Sequence, residues 1–158
     1  MRVAVITVSD SVSQGKGADR SGPAVSERCK ALGWEVVSSH VLPDDCVAIE
    51  KLLAAQADSG AADLILTTGG TGIGPRDTTP EATVAVCAKL VPWFAELMRE
   101  TGVRSTRRAV LSRAVVGVRS QALIMNLPGS PKGAVESLDA VADLLPHACD
   151  VLHGLHHG

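Results

Sequence analysis

The sequence predicts an α/β fold, a three-layer sandwich in which a mostly parallel central sheet carries helices on both faces. Apolar, β-branched segments alternate with segments of helical periodicity, an order that indicates parallel strands joined by helical crossovers. The first segment, Val3–Val8, is apolar apart from the hydroxyl of Thr7 and mostly β-branched, as expected for a strand buried on both faces. A glycine-rich loop follows the third apolar segment, where such sheets bind ligands.

The first half of the chain contains three predicted strands. The elements predicted there are strands at Val3–Val8, Glu35–Leu42 and Asp63–Thr67 and helices at Pro23–Leu32 and Cys46–Ala57. Asp10–Gly22 is polar and rich in glycine, which predicts a loop. Pro23 suits the first turn of the first helix, and Gly33 ends that helix. Pro43-Asp44-Asp45 predicts a turn into the second helix.

The second half is predicted to add helices and a pair of strands. The elements predicted there are helices at Pro80–Lys89, Pro92–Glu100 and about Ala134–Leu152 and strands at Val110–Val118 and Gln121–Asn126. A tight turn at Arg119-Ser120 would join the two strands, although it lacks the Asn-Gly type of signal. We expect residues 1–158 to form one domain whose last few residues are a flexible tail.

Composition excludes several classes of protein. The chain has 158 residues, of which 46% are hydrophobic, so a single domain can bury a substantial core. A net charge of −2, together with two Trp, one Phe and no Tyr, argues against a nucleic-acid-binding protein. No apolar segment approaches the length that spans a membrane. We therefore expect a cytoplasmic protein.

Neither the cysteines nor the C-terminal histidines form a metal-binding pattern. The four cysteines are Cys29, Cys46, Cys87 and Cys149. None belongs to a Cys-x-x-Cys pair and each falls in a predicted helix, so free buried thiols are favoured over a disulfide or metal role. His153, His156 and His157 suggest a metal-binding tail, but a frayed polar terminus is favoured because no carboxylate or cysteine completes a site.

The most specific local pattern is the segment Leu64–Glu81. Its pattern indicates an apolar strand, then a loop with four glycines, the pair Arg76-Asp77 and the start of a helix. Glycines let the backbone adopt positive φ and approach a ligand, and the N–H groups of such a loop and of a helix N-terminus bind anions. Asp77 would hold a cation beside the phosphates, because Mg²⁺ prefers carboxylate and phosphate oxygens. The segment therefore predicts a phosphate site.

Two common nucleotide-binding motifs do not fit this loop. Gly70-x-Gly72 begins a dinucleotide fingerprint, but Pro75 occupies the third glycine position and no acidic residue ends a following strand at the usual distance. A Walker A loop requires Gly-Lys-Ser/Thr, whereas Gly74 is followed by Pro75-Arg76. A phosphate cradle of another kind and a structural glycine turn both remain open.

Four loops are expected to converge on one edge of the sheet. They are Ser9–Ser13, Asp44, Gly69–Asp77 and Pro128–Lys132. Each follows a predicted strand, and the carboxyl ends of parallel strands meet at the same edge. The sequence thus predicts a composite site built from segments that are far apart in the chain.

Five groups of residues, spread in order over nearly the whole chain, form one larger pattern. They are Val8–Ser13 with Asp19–Gly22, Leu42–Asp44, Thr68–Gly72 with Arg76–Thr83, Leu111–Ala114, and Asn126–Lys132. As a set they resemble the motifs of the molybdopterin-binding domains of molybdenum cofactor biosynthesis.

The resemblance implies a molybdopterin adenylyltransferase that transfers AMP from Mg-ATP to the terminal phosphate of molybdopterin and releases pyrophosphate. Mg²⁺ is the implied cofactor, and ATP and molybdopterin are the substrates. The family also implies a homo-oligomer, a trimer with a hexamer as an alternative, and hand-off of the product to a molybdenum-insertion protein. A MoaB-like branch binds the pterin without being the main adenylyltransferase, and a plain α/β nucleotide-binding module is a third hypothesis.

The candidate site combines this resemblance with the loop positions. Asp44 and Asp77 are predicted to be catalytic and to hold Mg²⁺ or its waters. The predicted substrate and nucleotide contacts are Ser9, Asp10, Ser13, Thr68, Gly69, Gly70, Thr71, Gly72, Arg76, Ser112, Arg113, Asn126, Pro128, Gly129, Ser130 and Lys132.

Several of these residues have structural alternatives. The backbone of the glycine loop would hold one phosphoryl group and Ser130 with Lys132 another, while Arg76 and Arg113 suit bidentate contacts to phosphate or to a pterin edge. Asp44 is equally consistent with a helix cap, and Lys132 with a solvated lysine. Thr79, Pro80 and Glu81 are interpreted as mainly a helix start. The sequence does not decide which loop takes ATP and which the pterin.

Overall fold

The computed structural model describes residues 1–155 and arranges them in three layers around a six-stranded sheet. The strands are β1 (Arg2–Val8), β2 (Glu35–Leu42), β3 (Leu64–Thr68), β4 (Lys89–Leu90), β5 (Val116–Arg119) and β6 (Ala122–Leu127). Their order across the sheet is β2-β1-β3-β6-β5-β4. The first four strands in that order are parallel, whereas β5 and β4 run antiparallel to their neighbours. The predicted fold class is confirmed.

Helices cover both faces of the sheet. Within residues 1–155 they are α1 (Asp10–Ser13), α2 (Ser21–Ala31), α3 (Cys46–Asp58), α4 (Thr79–Val86), α5 (Pro92–Ser105), α6 (Pro131–Val141) and α7 (Leu145–Leu152), with a 3-10 turn at Arg107–Leu111. Side chains of α2, α5, α6 and α7 share one hydrophobic core, and those of α3 and α4 share the other.

The first strand shows how the sequence produces this layering. Val3 and Val5 point into the core beneath α2, α5 and α6, while Ala4, Ile6 and Val8 point into the core beneath α3 and α4. Alternate residues of a strand face opposite sides of the sheet, so apolar residues at consecutive positions, here Val3 to Ile6, are needed to cover both sides. The expectation of a strand buried on both faces is confirmed.

Some predicted boundaries are wrong. The predicted loop Asp10–Gly22 contains the helical turn α1, and Ser21 and Gly22 already belong to α2. The predicted helix Pro80–Lys89 ends at Val86, because Lys89 pairs with Val118 as part of the edge strand β4. The predicted strand Val110–Val118 begins only at Val116.

The two C-terminal helical predictions are also incomplete. The predicted helix Pro92–Glu100 continues through Gly102 to Ser105. A Cβ at Gly102 would lie 3.0 Å from the Cβ of Ala109, so the glycine lets the 3-10 turn pack closely against the helix. The single helix predicted over Ala134–Leu152 is two helices, α6 and α7. Pro146, near the start of α7, has no N–H to continue the earlier helix.

The C-terminal segment is partly anchored. His153 Nε2 lies 3.0 Å from the carbonyl oxygen of Gln121, and the His153 N–H bonds to Cys149 O at 3.0 Å. The expectation of a frayed terminus is therefore wrong for His153, while His156 and His157 lie outside the described residues. Among residues 1–155, no helix is long and apolar enough to cross a membrane.

The four cysteines are free, and their thiols lie in or beside the cores. Cys29 and Cys149 are buried, whereas Cys46 and Cys87 are half-buried. Burial raises the pKa of Cys29, Cys87 and Cys149 to about 11, which keeps these thiols protonated and unreactive near neutral pH.

Candidate active site

The structure brings the four loops together at the carboxyl edge of β2, β1, β3 and β6, which are adjacent and parallel. A cavity of about 400 Å³ opens between them and is called the Asp44 cavity below. The predicted site residues that line it are Ser9, Asp44, Thr68, Gly69, Gly70, Asp77 and Gly129. Convergence of distant loops on one edge is thus a property of the fold.

The other predicted residues divide into two groups. A second cavity of about 260 Å³, called the Met98 cavity, lies between α5, the 3-10 turn and α6. The predicted residues that line it are Thr71, Gly72, Ser112, Asn126, Pro128 and Ser130. Residues that line neither of these two cavities are Asp10, Ser13, Arg76, Arg113 and Lys132. The glycine loop contributes to both cavities and separates them.

Gly69 and Gly70 are required by the packing of the loops. Gly69 has φ +99°, and a Cβ there would overlap the carbonyl oxygen of Val8. Gly70 has φ +70°, and a Cβ there would overlap Thr79 Oγ1 and lie 3.0 Å from Asp44 Oδ1. Protein atoms thus occupy the space in which a side chain would stand. Close approach of a ligand to this backbone stays a prediction.

Thr79 fastens the loop to α4. Its hydroxyl donates to Gly69 O at 3.0 Å, and its N–H donates to Gly70 O at 3.2 Å. This agrees with the interpretation of Thr79 as structural. Thr78 precedes the helix but its hydroxyl makes no capping bond and is buried without a partner within residues 1–155. Glu81 likewise does not cap α4, because its carboxylate pairs with Arg113.

Asp10 and Asp44 lock the first two loops together. The N–H of Asp44 donates to Asp10 Oδ1 at 2.9 Å, and the N–H of Asp10 donates to Asp44 Oδ2 at 3.1 Å. Arg76 donates to both carboxylate oxygens of Asp10 at 3.0 and 3.1 Å. Hydrogen bonds from Arg76 and from the Asp44 backbone lower the pKa of Asp10, which keeps that carboxylate charged. Asp10 and Arg76 therefore brace the site.

Asp44 and its neighbour Asp45 have different roles. Asp45 is the N-cap of α3, with its carboxylate accepting the Ala48 N–H at 3.1 Å, so the alternative of Asp44 as the helix cap is wrong. Asp44 Oδ1 is buried and has no hydrogen-bond partner within residues 1–155. Burial raises the pKa of Asp44, and the nearby charges of Asp10 and Asp77 add to this, against the Asp10 N–H bond and the Arg76 charge.

Asp77 supplies a second carboxylate to the Asp44 cavity. Its Oδ2 accepts the Gly74 N–H at 2.9 Å, which leaves Oδ1 available. Asp44 Oδ1, in the same cavity, is buried without a hydrogen-bond partner within residues 1–155 and lies beside Gly70, which has no Cβ to crowd it. Such an oxygen is suited to bind a cation. Among the described residues no group of three or more His, Cys, Asp or Glu side chains is placed to hold a metal. Substrate oxygens and water would have to complete the coordination.

Arg113 is bound to the protein itself. Its Nε donates to Gly72 O at 2.7 Å, and one terminal nitrogen donates to Asp77 O at 2.9 Å. Both terminal nitrogens bond the carboxylate of Glu81, at 2.6 and 3.2 Å. These bonds from Arg113 lower the pKa of Glu81 and keep the pair charged. The predicted phosphate contact of Arg113 would require these bonds to break.

Asn126 is committed to a buried network. Its amide nitrogen donates to the hydroxyls of Thr67 and Thr83, both at 3.0 Å, and its amide oxygen accepts the Val115 N–H at 3.0 Å. Both amide donors are therefore used within the protein. The network joins β3, β6 and α4 directly beneath the glycine loop.

Three predicted serines make local bonds within the protein, and Lys132 is exposed. Ser9 accepts the Val12 N–H and caps α1, and Ser13 donates to Asp10 O at 2.9 Å. Ser130 caps α6 by accepting the Gly133 N–H at 3.0 Å. The Lys132 side chain is 80% exposed, and its amino group lies as far as 3.8 Å from Glu136 Oε1. Lys132 is therefore as accessible as a solvated lysine.

Sequence reasoning missed part of both cavities. Asp19 lines the Asp44 cavity and accepts the Thr7 hydroxyl at 2.9 Å and the Gly22 N–H at 3.0 Å. Its placement within Asp19-Arg20-Ser21-Gly22, at the start of α2, was the available signal. The unpredicted part of the Met98 cavity gave no such signal, because it comes from α5, the 3-10 turn and α6, whose apolar residues resemble ordinary core positions.

Comparison with known proteins identifies relatives over nearly the full length. The family described as "Probable molybdopterin binding domain" matches residues 4–147. Molybdopterin adenylyltransferase of Helicobacter pylori is 40% identical over 98% of this chain and 89% of the relative. The Escherichia coli protein of the same name is 39% identical over 98% of this chain and 80% of the relative.

A solved structure shares the fold closely. The molybdopterin biosynthesis enzyme MoaB of Thermus thermophilus superimposes with a TM-score of 0.91 at 49% identity, covering 97% of this chain and 96% of that one.

Proposed function

This chain belongs to the molybdopterin-binding domain family, and from that premise we propose that it is a molybdopterin adenylyltransferase of molybdenum cofactor biosynthesis. The proposed reaction transfers AMP from Mg-ATP to the terminal phosphate of molybdopterin. The observation that carries the proposal is the pair Asp44 and Asp77 in one cavity with the glycine loop, in a chain about 40% identical to named adenylyltransferases.

The reaction joins two anions. An oxygen of the molybdopterin phosphate forms a bond to the α-phosphorus of ATP, the bond from that phosphorus to the bridging oxygen breaks, and pyrophosphate leaves with the electron pair. The attacking oxygen is already ionised near neutral pH, so no general base is required. Catalysis then depends on holding two repelling groups in line and on neutralising their charge.

The residues of the Asp44 cavity are suited to that task. Asp44 and Asp77 would hold Mg²⁺, and the bound ion would neutralise charge on the phosphate oxygens. Arg20 lines the same cavity and makes no ion pair within residues 1–155, which leaves a positive charge available to the substrates. Lys132 is equally accessible.

The two cavities are proposed to divide the substrates between them. The Asp44 cavity is polar and carries the carboxylates, which suits the phosphates with their cation. The Met98 cavity is lined by apolar side chains such as Met98, Ala95 and Leu111, which suits a flat ring system. The glycine loop lies between them, where the reacting phosphates would meet.

A second candidate is a protein that binds molybdopterin without adenylylating it. The 49% identity to a structure named MoaB favours it, since the resemblance includes a MoaB-like branch of that kind. Mixing the protein with molybdopterin, labelled ATP and Mg²⁺ distinguishes the two. Pyrophosphate release that requires the pterin supports the adenylyltransferase. Tight pterin binding without AMP transfer supports the second candidate, and absence of pterin binding excludes both.

We also propose that the protein is a homo-oligomer and is cytoplasmic. Apolar side chains at the surface, including Trp93 at 77% exposure and Val110 at 70%, support a homo-oligomer, a trimer with a hexamer as the alternative. Light scattering of the purified protein tests this. A cytoplasmic enzyme that hands its product to a molybdenum-insertion protein is consistent with the proposed reaction, whose product is a substrate for metal insertion.

A further inference from the structure

The guanidinium of Arg113 makes four bonds to one short stretch of chain. It reaches the carbonyl oxygens of Gly72 and Asp77, which bracket the tip of the glycine loop, and both oxygens of Glu81 on α4. The Arg113 N–H also donates to Thr71 O at 2.8 Å. An arginine side chain has five N–H donors in a fixed planar arrangement, so these bonds use most of its capacity.

We propose that Arg113 and Glu81 are positioning residues, a clamp that fixes the glycine loop so that the Asp77 carboxylate faces the Asp44 cavity. Arg113 holds both sides of the loop tip, and Glu81 holds the guanidinium in the orientation that reaches them. The effect of the clamp on catalysis rests on the proposed adenylyl transfer. Its structural consequence, a fixed loop, stands without that function.

The chemistry of the loop explains why a clamp is needed. The tip, Ile73–Arg76, is exposed, and Ile73 is 69% exposed, so little core packing holds it. The bond from Gly74 N–H to Asp77 Oδ2 orients the carboxylate locally but does not attach the tip to the rest of the protein. Arg76 attaches the tip to the first loop through its pair with Asp10, and the charge-assisted bonds of Arg113 attach both ends of the tip to α4.

Glu81→Gln separates positioning from substrate binding, because Glu81 bonds the guanidinium of Arg113 and leaves the bonds of Arg113 to the loop carbonyls unaltered in composition. If Arg113 positions the loop, weakening its partner loosens the loop. If Arg113 instead binds a substrate phosphate and Glu81 competes for it, Glu81→Gln frees the guanidinium and strengthens substrate binding. Asp58→Asn is the matched control, because Asp58 forms a similar bidentate pair with Arg119, which also bonds Val86 O.

The two pairs are closely alike in exposure. The side chains are 36% and 52% exposed for Arg113 and Glu81, and 33% and 51% for Arg119 and Asp58. The control pair lies at the opposite edge of the sheet, beside the β5–β6 turn. Loss of a surface ion pair as such is therefore common to both variants.

The experiment measures amide hydrogen exchange across the wild type and both variants, and then AMP-transfer kinetics. For Glu81→Gln, exchange at residues 72–77 should rise about 10-fold or more, and kcat should fall about 10- to 100-fold with little change in either KM. Asp58→Asn should change neither quantity. Arg113→Lys, which keeps the charge but loses the planar contacts, should match Glu81→Gln in both.

Three results would overturn the clamp: unchanged exchange at residues 72–77 in Glu81→Gln, a fall in KM without faster exchange, or faster exchange with an unchanged kcat. If the wild type itself transfers no AMP, the proposed function fails. The exchange measurement then still decides whether the clamp holds the loop.

Discussion

Neighbouring aspartates at the end of β2 offer a direct test of the site at the scale of single residues. Asp44 presents a buried, unpartnered oxygen to the cavity, while Asp45 caps α3. We expect Asp44→Asn to reduce pterin-dependent pyrophosphate release about 100-fold or more, because a neutral amide is a poor Mg²⁺ ligand. The fold should survive, since the amide oxygen can still accept the Asp10 N–H.

Asp45→Asn is the control for that measurement. It removes the same charge one residue away, and asparagine caps helices as well as aspartate does. Its rate should stay near that of the wild type. An Asp44→Asn enzyme within threefold of the wild-type rate would remove Asp44 from the metal role.

Asp77→Asn carries the corresponding prediction for the glycine loop. The asparagine oxygen can retain the bond to Gly74 N–H, so the loop should keep its shape while the charge is lost. We expect turnover to be largely abolished, with an unchanged midpoint of urea unfolding. A variant of near-normal rate would show that Asp77 is not a catalytic residue, whatever its effect on binding.

The residues that sequence reasoning identified are those whose roles depend on neighbours in the chain. Asp44 lies just after β2 and Asp77 lies in the loop that follows β3, so their position at the carboxyl edge was predictable. The contacts of Arg113 were not, because they join residues that are 32 to 41 positions apart. A bidentate arginine suits a phosphate and a carboxylate equally, and in the folded protein Glu81 occupies the guanidinium of Arg113.

At the scale of elements, the four parallel strands were easier to predict than the ends of the helices or the antiparallel strands β4 and β5. The bounds of β2 were predicted as they are, since its pattern is bordered by Gly33-Trp34 and by Pro43. The gap between α6 and α7 was missed because the apolar periodicity continues across it: Leu138, Val141 and Leu145 are all buried. Periodicity reports which residues are buried, not whether one helix or two carries them.

The glycine loop gives a prediction at the same scale. Gly69→Ala should destabilise the fold strongly, because it combines a positive φ with overlap against the Val8 backbone, which cannot move aside. Gly33→Ala is the control: Gly33 has φ +83° but open space around it, so only the conformational cost of about 1–2 kcal/mol applies. Urea unfolding measures both. Equal losses would show that the loop relaxes around a Cβ.

At the scale of the whole molecule, contacts of Asp63 connect distant parts of the chain at the edge of the sheet opposite the site. The parallel order β2-β1-β3-β6 could not be read from the sequence, because a helical crossover leaves open which strands become neighbours. Asp63, directly before β3, contacts the start of β1 and the C-terminal segment. It accepts the Arg2 N–H at 2.8 Å and the Arg2 side chain at 2.9 Å, and His153 lies 3.6 Å away.

The charge of Asp63 makes the stability of the whole molecule depend on pH. Burial raises the pKa of Asp63, but the bonds from Arg2 and the charges of Arg2 and His153 outweigh it, so the net shift is downward. A carboxyl whose pKa is lower in the folded state binds fewer protons there than in the unfolded state. Its stabilising contribution is therefore present above the unfolded pKa near 4 and is lost as the pH falls through the folded value.

We expect Asp63→Asn to lower the free energy of unfolding at pH 7 by about 1 kcal/mol, a modest value because the Arg2 side chain is half exposed to water. Urea unfolding at pH 7 and near pH 3 should show this difference shrinking in acid, where the wild-type carboxyl becomes protonated. Asp139→Asn, which breaks the more exposed ion pair with Arg28, is the control and should change stability little at either pH. A difference for Asp63→Asn that stays constant between the two pH values would mean that the residue acts through packing, because only the loss of its charge depends on acid.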